Sequence, residues 1–166
     1  VNKLISLDLS KFSTKKTKTM NYMFCNCVKL TNIDLTSFNT SSVTEMNSMF
    51  YNCKSLTSIN LSKFNTQKVK IMTDMFNGCD SLIDLNLNSF KTNEVISMDQ
   101  MFAGCSSLIT LDLITFNTSN LEDADRMFSD CEKLTYIEQN FTSEKLLRAE
   151  QMFKGCSKLK KIDLKG

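Results

Sequence analysis

The 166 residues contain no histidine, only four glycines and no apolar run of membrane-spanning length. Without histidine the chain lacks the side chain that most often serves as general base or metal ligand near neutral pH. It also carries no glycine-rich phosphate loop and no G-x-S-x-G elbow, so its residues point away from an enzyme and from a bound cofactor. A transmembrane helix needs about 20 consecutive apolar residues, and none is present in this stretch. Strong charge of one sign is missing too, with 20 Lys and Arg against 18 Asp and Glu. Nucleic-acid surfaces concentrate basic residues, so this balance argues against one. Lysines do gather near the two ends (Lys11, Lys15, Lys16 and Lys18, then Lys154, Lys158, Lys160, Lys161 and Lys165). They read as solvated faces of end coils. The chain opens at Val1 without a signal peptide and stops at KIDLKG, so the expectation is a segment of a longer polypeptide.

What is present is a repeat. Leu4, Leu30, Leu56, Leu82 and Leu108 open successive copies 26 residues apart, Leu134 opens a sixth, and Leu159 starts a seventh that is cut short. Periods of this length are the signature of solenoids, in which one copy cannot bury its apolar face alone and must stack on its neighbours. Residues 1–166 therefore read as a single repeat domain of about six and a half copies.

Within residues 30–55 the apolar period changes partway. Leu30, Ile33 and Leu35 fit a short strand with alternating faces, and Phe38 leads into the polar run Asn39-Thr40-Ser41-Ser42. Val43, Met46, Met49, Phe50 and Cys53 then recur at three- and four-residue steps, the spacing of one helix face. The predicted fold is an α/β solenoid, a right-handed stack with a parallel sheet and a layer of helices. Strands pair about 4.8 Å apart whereas helices pack at about 8–10 Å. That mismatch predicts a sheet on the concave face and helices on the convex one.

The motif L-x-x-I-x-L-x-x-F resembles the leucine-rich repeat strand, with Phe where many such repeats place Asn. Together with the FNT turn, the MxxMF segment and the endings Gly78-Cys79, Gly104-Cys105 and Gly155-Cys156, it is similar to the BspA-like leucine-rich repeat, also described as the bacterial surface protein 26-residue repeat. The resemblance implies a secreted or cell-surface protein used in adhesion and contact.

Six aligned cysteines (Cys27, Cys53, Cys79, Cys105, Cys131 and Cys156) fall one per copy, with Cys25 the extra one. Zinc sites want paired cysteines, and disulfides need Cα atoms within about 7 Å. The aligned thiols therefore read as free and buried, with Cys25 the first to react. Thr14, Thr40, Thr66, Thr92 and Thr118, with Ser143 in copy six, form a hydroxyl ladder that can accept orphan amides or bond the next coil. Copy six is one residue short between Ile137 and Phe141, where a bulge or tightened corner is expected.

Strand residues alternating with the core must face outward. Their central column is Asp8, Asp34, Asn60, Asn86, Asp112, Glu138 and Asp163. A carboxylate column could hold calcium, but single carboxylates per coil supply few of the six to eight oxygens it takes. The candidate partner-binding residues are Asp34, Asn60, Asp84, Asn86, Asp112, Ile114, Tyr136 and Glu138. Sequons occur at Asn39, Asn60, Asn117 and Asn140, about as many as chance gives in so Asn- and Ser-rich a chain. The functional expectation is an extracellular recognition or adhesion module for a protein or glycan on another cell or the matrix. The alternative is a self-assembling structural protein whose end coils pair with further copies.

Overall fold

The structure, a computed structural model, describes residues 3–139 and 141–164. The Asn140 sequon and Lys165 lie outside the described residues. Each copy forms one coil, and the positions singled out by periodicity make a continuous core. Leu30, Val43, Met46, Met49, Phe50, Cys53 and Leu56 are fully buried, as are their equivalents in the next two coils. Phe24, Phe50, Phe76, Phe102, Phe128 and Phe153 stack with centroids 5.5–5.9 Å apart and ring planes within 12°. Offset stacking of this kind adds to the area each ring buries.

The second half of the coil is not a helix. From Met46 to Leu56 the chain makes four overlapping four-residue turns. The amides of Met49, Tyr51, Cys53 and Leu56 donate to the carbonyls of Met46, Ser48, Phe50 and Cys53 at 3.1–3.4 Å. The intervening amides point out of the coil: Met46, Ser48, Phe50 and Asn52 donate to Ile71, Thr73, Met75 and Asn77 of the next one at 2.6–3.1 Å. The same alternation recurs coil after coil, and parallel bridges run from Thr19 through Glu45, Ile71, Ser97 and Asp123 to Arg148. A helix would satisfy its own backbone and hold its neighbours about 8–10 Å away. Turns bond outward instead, so this side of the coil takes the spacing of a sheet. The expected fan of helices, and the concave bend it was to cause, lose their physical basis.

Residues with positive φ make this possible. Ser48 (52°) and Asn52 (59°) are the third residues of the Met46–Met49 and Phe50–Cys53 turns. That is where a type II turn requires the left-handed region. The Asn52 column reads Asn26, Asn52, Gly78, Gly104, Asp130 and Gly155, all residues that enter this region at low cost.

The hydroxyl ladder bonds coil to coil. Thr66 Oγ1 donates to the Lys91 carbonyl (2.9 Å) and accepts the Lys91 amide (2.7 Å). Thr14, Thr40 and Thr92 do the same to Asn39, Asn65 and Asn117. Ser143 departs from the pattern and donates back to the Leu121 carbonyl. Every cysteine is a free thiol, Cys27 to Cys131 of the ladder buried, Cys25 and Cys156 half-buried. Each thiol from Cys53 to Cys156 donates to the carbonyl of a phenylalanine in the preceding coil, at 2.9–3.3 Å.

On the opposite side, three strands pair in parallel in the order of the chain: β1 (Thr110–Asp112), β2 (Tyr136–Gln139) and β3 (Lys161–Leu164). The equivalent segments of earlier coils form no strands and are joined by fewer backbone bonds. The Thr57 amide reaches the Thr31 carbonyl at 3.3 Å, and Ser37 and Ser89 hydroxyls bond the Leu9 and Leu61 carbonyls.

Candidate functional site

The outward alternation on the strand side places the candidate residues as the period requires. Asp34, Asn60, Asp84, Asn86, Asp112, Ile114 and Glu138 are exposed, and Tyr136 is half-buried. Register brings some of them together: Tyr136 lies between Thr110 and Lys161, and Glu138 between Asp112 and Asp163. Asp84, Asn86 and Asp112 meet with Asn88 and Thr110 around a shallow polar depression of about 210 Å³, floored by Leu85 and Leu87. Asp34 and Asn60 belong to earlier coils and do not reach it. Ile114, Tyr136 and Glu138 do not line it either.

The central column has a structural task that its sequence did not announce. Oδ1 of Asp8, Asp34, Asn60, Asn86 and Asp112 accepts the amide two residues on, at 2.9–3.1 Å. These are Asx turns, which either Asp or Asn can make and which redirect the chain after the strand segment. The occurrence of both Asp and Asn along the column follows from that shared geometry. Hydrogen bonds from the Ser10 amide and hydroxyl hold the Asp8 carboxyl below its usual range, and those from Thr36 do the same for Asp34. In both cases the donor favours the charged form. Glu138 is one carbon too long for this turn. Among the described residues no group of three or more Cys, Asp or Glu has the arrangement of a metal site.

Copy six also holds a residue that the sequence reading passed over. Gln139 stands five after Leu134, as Leu35 stands five after Leu30, so the repeat alignment itself places it in the leucine column. It is buried, and neither its oxygen nor its nitrogen has a hydrogen-bond partner. The turn side carries a second unforeseen feature, a group of carboxylates. Burial pushes the Asp99 carboxyl up, and Asp123, Asp74 and Asp125 push it further. Asp123 is paired with Arg148. The signal for this group was an acidic substitution pattern in copy five, LEDADRMF, that spacing alone could not place on a common face.

No described helix is long and apolar enough to cross a membrane. Residues 2–82 and 57–165 both match the family described as Mycoplasma protein of unknown function, DUF285. No curated protein matches the chain. Among solved structures it is similar to a leucine-rich repeat protein from Bacteroides ovatus ATCC 8483, at 21% identity and a TM-score of 0.45. The likeness covers 95% of this chain and 60% of that one. With two overlapping matches that run nearly its whole length, the chain belongs to the Mycoplasma DUF285 family, and the BspA-like leucine-rich repeat character read from its motifs stands with it.

Proposed function

We propose that the chain is a non-enzymatic recognition module, displayed outside the cell or at its surface, whose strand side engages a protein or glycan of another cell or of the matrix. The observation that carries this reading is the depression between coils four and five. Asp84, Asn86, Asn88, Thr110 and Asp112 supply carboxylate, amide and hydroxyl groups around one shallow polar hollow. Such groups satisfy sugar hydroxyls or peptide amides in competition with water, whereas an apolar anchor would find little to fill. The stacked coils beneath hold these groups in place, which lowers the ordering cost of binding. The BspA-like resemblance supports the surface role.

The test is binding of labelled chain to an oligosaccharide array and to immobilised matrix proteins. Asp84→Ala and Thr110→Ala serve as variants because neither side chain makes an Asx turn. The reading expects saturable binding that weakens at least about tenfold in each variant, a loss of about 1.4 kcal/mol, with thermal stability unchanged. Binding to none of these surfaces, or binding indifferent to both variants, contradicts it.

A further inference from the structure

On the turn side, three successive rungs of one backbone ladder carry Ile96, Glu122 and Leu147. The Glu122 amide donates to the Ile96 carbonyl, and the Leu147 amide to the Glu122 carbonyl, each at 2.9 Å. Leu147 is 80% exposed and Ile96 37%. With Ser97, Asp123 and Arg148 they line an open groove of about 240 Å³. The earlier rungs of this ladder are Lys18, Thr44 and Lys70, so the fold itself asks for no leucine here.

Charge surrounds the two apolar side chains. Beside them Asp99, Asp125 and Glu150 occupy successive rungs of the neighbouring ladder, accepting the amides of Asp74, Gln100 and Arg126. Asp123 already has Arg148 as its partner. The carboxylates of Glu122, Asp99, Asp125 and Glu150 outnumber the nearby cations Lys70 and Arg126, and so leave this face net acidic on a chain whose net charge is +2. Like charges on adjacent rungs repel, and a cationic partner would relieve that repulsion.

We propose that this face, distinct from the strand side, docks a cationic amphipathic helix of another protein. Ile96 and Leu147 lie two coil steps apart, about 9.6 Å at strand spacing. Helix residues i and i+7 lie about 10.5 Å apart on one side. Leucines at these positions would sit against Ile96 and Leu147, and Lys or Arg at i+3 and i+4 would fall over Glu122 and its acidic neighbours. An extended segment repeats a facing side chain about every 6.6 Å and matches neither one coil step nor two.

The probe is a fluorescein-labelled alanine-based peptide of about 15 residues, with Leu at i and i+7 and Lys at i+3 and i+4. Its control carries Glu in place of both lysines. Anisotropy titrations use the whole 166-residue chain. The proposal expects saturable binding of the Lys peptide at least about tenfold tighter than the control, weakening severalfold as salt is raised from about 50 to about 300 mM. Leu147→Ser and Glu122→Gln should each weaken it at least about fivefold while melting temperature and the response to Asp84→Ala stay unchanged. No saturable binding, equal binding of the two peptides, binding indifferent to Leu147→Ser, or binding lost on Asp84→Ala would each overturn it.

Discussion

The two long sides of every coil advance by the same step but are bonded differently. On the turn side each interior coil sends the amides of four alternate residues to the next, as Met72, Asp74, Phe76 and Gly78 do to Ser97, Asp99, Met101 and Ala103. On the strand side, backbone pairing becomes a sheet only from Thr110 onward. In the earlier coils, serine hydroxyls and buried leucines hold the segments together. The segment expected to be helical is thus the more sheet-like in its bonding, and the segment expected to be a sheet leans on side chains. The difference teaches that coil spacing is set by the turns and the Phe, Cys and Thr columns beside them. That leaves the strand side free to vary its outward residues for recognition.

The largest way to break this asymmetry is alkali. Burial pushes the thiols of the turn side up, Cys53 to about 12, and Cys79, Cys105 and Cys131 are raised as well. A raised folded value means the unfolded state releases its thiol protons first, so stability is full below pH about 9 and falls as pH rises above it. Each such thiol should contribute a slope of up to about 1.4 kcal/mol per pH unit. Urea titrations at stepped pH should show the slope shrink by one thiol's share in Cys79→Ala.

Core truncations come next. Phe76, fully buried between Phe50 and Phe102 at 5.6 and 5.9 Å, should cost about 3–5 kcal/mol as Phe76→Ala. Ile59→Ala, at a half-buried strand-side position, should cost clearly less, about 2 kcal/mol or under. Equal losses in chemical denaturation would remove the asymmetry. Polar columns should follow the same order. Thr66→Val removes a buried hydroxyl and leaves its bonds to the Lys91 amide and carbonyl unmade, and should cost about 2–3 kcal/mol. Asn60→Ala removes one exposed Asx bond and should cost about 1 kcal/mol or less.

One effect carries the opposite sign. Gln139→Leu restores the leucine column and removes two unpartnered buried polar atoms, so it should stabilise the chain by about 1–2 kcal/mol in the same assay. A loss would mean that Gln139 has a task in copy six beyond filling space.

Much of this was legible in the sequence. The period named the buried residues of the interior coils, while Leu4 in the first coil and Cys156 and Leu159 in the last, at the same columns, are only half-buried because no further coil covers them. The outward alternation from Asp8 to Glu138 came out on the face it predicts. The helix did not, because M-x-x-M-F-x-x-C fits a chain of overlapping turns as well as a helix face. Both bring residues three apart together. The column Asn26, Asn52, Gly78, Gly104, Asp130 and Gly155 was the available signal, since a helix interior has no use for six left-handed residues. The companion column Tyr22, Ser48, Asp74, Gln100, Arg126 and Gln151 also has positive φ but no shared chemistry, so nothing in the letters marks it. The Asx turns hid for a related reason: their Asp and Asn face outward and look like a binding surface. Of the candidate binding residues, Asp84, Asn86 and Asp112 converge on one hollow because adjacent coils align them, which the one-dimensional repeat could foresee only as a column.

The most direct test of the account is an NMR measurement of scalar couplings across hydrogen bonds in the turn segment. Coils bonded outward by their turns place the Phe50 amide on the Met75 carbonyl at 2.9 Å, and the account predicts a resolved coupling between that nitrogen and that carbonyl carbon, repeated for Phe76 and Met101. Coupling of the Phe50 nitrogen to the Met46 carbonyl carbon instead, the i to i−4 pattern of a helix, would contradict it.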